Sequence, residues 1–125
     1  MHQDELIAYL NGELNYDDWE PCLAEELQTY EDRLKLLGSS IGIKYDGDRL
    51  KIQIGRKEVD KLYQDFKNGT IHRYFLGYLS EALLLSENTV FENESLRDVF
   101  EELAEIVETN HPASEILELL CKNQG

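Results

Sequence analysis

The chain is 125 residues long, which suits one domain over residues 1–125 and leaves no room for a second. With 42% hydrophobic residues and only Pro21 and Pro112, it has the composition of a folded globule, and no run approaches the ~18 apolar residues that a membrane span needs. A net charge of −14 repels nucleic acid and membrane surfaces and speeds encounter with a positively charged partner.

The first residues, Met-His-Gln-Asp-Glu, are acidic rather than basic, which together with the missing apolar run gives the expectation of a cytoplasmic protein. Asp4 to Leu10 forms a short amphipathic helix with Leu6, Ile7 and Leu10 on one side, stopped by Asn11-Gly12. Asp17 or Asp18 caps a second, longest helix, and Pro21 is tolerated in it because it falls in the first turn. Trp19, Leu23, Leu27, Tyr30, Leu34 and Leu37 recur at helical spacing and face a core. The same periodicity turns Glu20, Glu25, Glu26, Glu31 and Asp32 outward. Residues 1–32 hold ten acids and neither Lys nor Arg.

Gly38-Ser39-Ser40 breaks that helix. Two alternating runs, Ile41 to Tyr45 and Leu50 to Ile54, flank Asp46-Gly47-Asp48, the signature of a β-hairpin. Residues 33–73 carry ten bases against five acids, so this hairpin is the basic element of an acidic chain. A third helix follows with Val59, Leu62, Tyr63 and Phe66 inward and Asn68-Gly69 as its stop. Ile71, Tyr74, Phe75, Tyr78, Leu79, Ala82 and Leu83 form so broad an apolar arc that the fourth helix is expected at the centre, with Gly77 admitting a close neighbour. Val90 and Phe91 tuck inward from the next connection. Asn93 or Ser95 caps a fifth helix whose core face is Leu96, Val99, Phe100, Leu103, Ile106 and Val107. Glu94, Asp98, Glu101, Glu102, Glu105 and Glu108 look out from it. A last helix runs from Pro112 through Ile116, Leu117 and Leu120. Residues 74–125 hold eleven acids against Arg97 and Lys122. The expected fold class is α+β, predominantly α-helical: five or six helices with one β-hairpin at about residues 41–54 packed on them.

No Gly-rich phosphate loop, HExxH, nucleophile elbow or EF-hand pattern is present, and His2, His72 and His111 are widely separated. The expectation is therefore no enzyme, no catalytic residue, no cofactor and no metal; His72 is the one histidine worth a test. Carboxylate pairs such as Asp17-Asp18, Glu25-Glu26 and Glu101-Glu102 read as solvated faces. Cys22 and Cys121 read as buried or half-buried thiols, with a bridge between them left open.

Residues 4–14 (Asp-Glu-Leu-Ile-Ala-Tyr-Leu-Asn-Gly-Glu-Leu), Ile-Gln-Ile at 52–54 leading into Lys57–Gly69, the stretch Tyr74–Ser86, and Phe-Glu-Asn-Glu-Ser-Leu at 91–96 together resemble the small immunity proteins of bacterial polymorphic toxin and contact-dependent growth inhibition systems. The resemblance implies a cytoplasmic antidote that binds the C-terminal domain of a cognate toxin, often a nuclease, with no catalytic residue of its own. Such nucleases must bind phosphate and are commonly basic, which agrees with the charge of this chain. The expected partner surface comprises Asp17, Asp18, Glu25, Glu26, Glu31 and Asp32 of the second helix and Asp98, Glu101, Glu102 and Glu105 of the fifth, with Trp19 or Tyr16 as an aromatic anchor. Addition of a toxin strand to the hairpin's outer edge is a rival mode. The expected state is a monomer or weak homodimer. The alternative function is a nucleic-acid mimic that inhibits a DNA-binding defence enzyme.

Overall fold

The computed structural model describes residues 1–37 and 43–122. Its elements in chain order are α1 (Gln3–Leu10), α2 (Tyr16–Leu37), β1 (Ile52–Ile54), α3 (Arg56–Lys67), α4 (Arg73–Leu85), β2 (Thr89–Phe91), α5 (Glu94–Glu108) and α6 (Ala113–Lys122). The α+β, mostly helical architecture expected from the sequence is present. The expected break at Gly38-Ser39-Ser40 and residues 41–42 lie outside the described residues.

Helix ends follow the chain's local chemistry. Asn11 and Asn68 terminate α1 and α3, each followed by a glycine at positive φ, Gly12 at 79° and Gly69 at 78°. Asn93 caps α5, its side chain accepting the Leu96 N–H at 3.0 Å. Because α2 begins at Tyr16, Asp17 and Asp18 fall in its first turn and do not cap it. Pro21 therefore sits past that turn, and the carbonyl that loses its bond is that of exposed Asp17.

The core is built around α4, where every residue from Phe75 to Ser80, then Ala82 and Leu83, is buried. α5 packs along one flank of it and α2 along another, while α3 packs on α6. The three-helix contact centres on Gly77. A Cβ there would stand 2.7 Å from Val107 Cγ1 of α5 and closer still to the Tyr30 hydroxyl of α2, so only glycine lets the three backbones meet. At one end, Tyr9, Tyr16, Trp19 and Phe75 form an aromatic cluster with ring centroids 4.7–6.5 Å apart, edge-to-face except for the tilted Tyr9–Trp19 pair. Val90, expected to tuck inward, is exposed instead.

Among the described residues of the 41–54 span, the expected hairpin is not formed. Gly47 does turn the chain at φ 74°, but Asp46 before it and β1 after it pair with other segments. Asp46 forms an isolated parallel bridge to His2, with Gln3 N–H to Asp46 C=O and Asp46 N–H to Met1 C=O both at 2.9 Å. β1 pairs in parallel with β2, in register Ile52 to Thr89 and Ile54 to Phe91, and α3 and α4 supply the crossover that parallel strands require.

A polar clasp explains the diversion. Gln3 is wholly buried; its Oε1 accepts from the Arg49 and Leu50 N–H groups at 3.1 and 2.8 Å, and its Nε2 donates to Leu50 C=O at 2.7 Å and to Asp48 Oδ1 at 3.1 Å. Asp48 also accepts from Ser86 Oγ at 2.7 Å, Asn88 Nδ2 at 3.1 Å and the Glu87 N–H at 3.2 Å. These bonds tie residues 48–50 to α1 and to the α4–β2 connection, so the main-chain groups a hairpin would use are already taken up.

The acidic helix faces as a candidate interface

Two helices were expected to supply the acids, and their geometry differs. On α2 the core stripe runs from Trp19 to Leu34 and the acids are spread around most of the remaining circumference. At about 100° per residue, Glu26 lies about 20° from Trp19, at the very margin of the stripe. Its Oε2 accepts from the Met1 ammonium and from the Tyr78 hydroxyl, both at 2.6 Å, with its side chain 19% exposed. Glu26 is thus a structural residue of the α1–α2–α4 junction and drops out of the expected partner set.

The remaining α2 acids divide in two. Glu31 pairs with Lys35 at 3.1 Å, and Asp32 accepts from Gln28 Nε2 at 2.9 Å. Asp17, Asp18 and Glu25 are exposed. Trp19 is 1% and Tyr16 2% exposed, inside the aromatic cluster, so neither presents an anchor to a partner. The adjacent carboxylates made this stretch look like surface, but Trp19 heads the very stripe that α2 buries.

On α5 the arrangement is coherent. Leu96, Val99, Phe100, Leu103, Ala104 and Val107 are buried against α4 and its neighbours. Opposite them Glu94, Asp98, Glu101, Glu105 and Glu108 recur at spacings of four, three, four and three, with Glu102 beside them. All six fall within an arc of about 120°, and the row is about 21 Å long at 1.5 Å per residue. Glu94, Asp98, Glu101, Glu102 and Glu105 are exposed and Glu108 is half-buried. The only base on α5, Arg97, reaches Glu101 at 3.3 Å and leaves the rest of the row uncompensated along the helix. Like charges at i, i+3 and i, i+4 cost a few tenths of a kcal/mol per pair, and Glu105 and Glu108 further oppose the helix dipole. The row is therefore an electrostatic cost in the free protein that a cationic partner would relieve.

The C-terminal end of the row approaches α2. The Tyr30 phenol is pushed well above its ordinary pKa by burial first, and then by the carboxylates of Glu81 and Glu108. The structure thus gathers Asp98, Glu101, Glu102 and Glu105 on one face and adds Glu94 and Glu108 to them. The 4-3-4-3 spacing that groups five of the six acids, all but Glu102, was visible in the sequence.

His72 is explained by structure. It is the N-cap of α4, its Nδ1 accepting the Phe75 N–H at 3.4 Å, with its Nε2 3.3 Å from the Tyr16 hydroxyl. Cys22 and Cys121 are exposed rather than buried, and no disulfide joins them. Among the described residues, no group of three or more His, Cys, Asp or Glu is placed to hold a metal ion, and no helix is long and apolar enough to cross a membrane. No family model, no curated protein and no solved structure matches this chain.

Proposed function

We propose that this protein is a cytoplasmic immunity protein that binds and neutralises the C-terminal domain of a cognate bacterial toxin, a basic nuclease, through the acidic row of α5. The observation that carries this reading is the row itself: six carboxylates in one arc, opposite the buried face, with a single paired base. The exposed acids of α2, Asp17, Asp18, Glu20, Glu25 and Asp32, form a secondary field that steers encounter without needing contact. The protein contributes no catalytic chemistry in this reading; it occludes.

A nucleic-acid mimic is the competing reading, and the regularity of the row is the observation in its favour. Charge density separates the two. The row offers one carboxylate per about 4 Å along the helix, whereas duplex DNA presents a charge about every 1.7 Å of its axis. The row is too sparse to imitate a duplex and suits the spacing of Lys and Arg side chains on a folded protein.

The test is co-expression with the toxin domain encoded immediately upstream, scored by growth rescue and by co-purification. Rescue with a stable complex is the expected result. A toxin domain that kills equally well with and without this protein, and does not co-purify with it, would overturn the reading and direct a screen against DNA-binding defence enzymes.

A further inference from the structure

Among the described residues, β1 has a partner strand on one side only. Ile52 N–H to Asn88 C=O at 3.0 Å and Glu92 N–H to Ile54 C=O at 2.8 Å direct the peptide groups of Ile52 and Ile54 toward β2. Strand alternation then turns those of Lys51 and Gln53 the opposite way. Among the described residues, no hydrogen bond takes up the main-chain groups of either. Along this edge runs a groove of about 410 Å³ with Ile7, Leu10 and Ile52 as its apolar lining and Lys51, Gln53 and Glu58 around them. Glu58 Oε1 accepts the Gly55 N–H at 2.7 Å, which closes the edge at that end.

We propose that the outer edge of β1 accepts an extended segment of another polypeptide as a third strand. Outward N–H and C=O groups on alternate residues are complemented by a strand's own backbone, which gives affinity, while alternate side chains give selectivity. One such side chain meets Ile7 and Leu10 and is apolar. The rim charges differ at the two ends, so the segment that fits carries an acid against Lys51 and a base against Glu58. A second copy of the chain is disfavoured as the occupant by its net charge of −14. This site is separate from the α5 row, and neither depends on the other.

The test pans a displayed library of random nine-residue linear peptides against the immobilised full-length chain. Two variants then read the site. Gln53→Pro removes only an outward N–H, since Gln53 makes no ladder bond to β2, and proline is tolerated at such edge positions. Ile7→Glu places a charge in the groove and decides alone if Gln53→Pro fails to fold by circular dichroism. Enriched peptides with alternating apolar positions, bound at least tenfold more weakly by the variants, are expected. No enrichment, peptides that bind variant and native chain equally, or a dimer of the native chain dissolved by Gln53→Pro would each overturn the proposal.

Discussion

Single residues divide into those that hold the fold and those that the proposed interface would use. Gly77 is the sharpest case, because any Cβ there collides with Tyr30 of α2 and Val107 of α5 at once. Gly77→Ala is expected to destabilise by about 1–3 kcal/mol in denaturant titrations, the range of overpacked cores, despite alanine's better helix propensity. Trp19→Ala should cost about 3–5 kcal/mol as a large core deletion and, at equal folded fraction, leave partner affinity unchanged. An affinity loss without a stability loss would return Trp19 to the interface. Asp48 makes a pH prediction. The bond from Ser86 Oγ, above all, holds its carboxyl below the ordinary value, with further donors in Asn88 and the Glu87 N–H and partial burial opposing them. A depressed folded-state pKa stabilises the protein above the unfolded pKa of about 4, and this contribution is lost as pH falls through the folded value. Asp48→Asn should therefore flatten the acid limb of the stability–pH profile below about pH 4 and leave its shape near neutrality intact.

At the scale of elements, the helices were legible and the strand pairing was not. Apolar spacing of three and four found the buried faces of α2, α4 and α5, and asparagine followed by glycine marked two of the helix ends, because these depend on residues a few positions apart. The hairpin over 41–54 failed because Asp46-Gly47 specifies a turn, not the partners of the strands beside it. Those partners, residues 1–3 and β2, are set by side chains far away in sequence, chiefly Gln3, Ser86 and Asn88. The candidate site divides the same way. Acids on α5 could be assigned outward from period alone, but that Glu26 is consumed by Tyr78 and Met1 required the packed structure. Two substitutions test the elements. Asn93→Ala should cost about 1 kcal/mol through the lost α5 cap. Val90→Pro removes an N–H that the parallel register directs at Ile52 C=O, and should cost about 1–3 kcal/mol where Gln53→Pro is neutral.

At the scale of the molecule, net charge and its placement decide what kind of partner fits. Ten acids in residues 1–32 and eleven beyond residue 73 oppose close approach of two copies by like-charge repulsion, and among the described helices α5 gathers its acids into the most ordered row. Binding through such a surface gains most in association rate and is screened by salt, so the affinity of the proposed complex should fall as ionic strength rises through the physiological range. The most direct measurement is a calorimetric titration of the cognate toxin domain into the native chain and into the triple variant Asp98→Lys, Glu102→Lys, Glu105→Lys, at low and high salt. The account predicts an affinity about 100-fold weaker for the variant at low salt, with most of the salt dependence gone. Equal affinity and equal salt dependence for the two chains would contradict it and remove the α5 row from the interface.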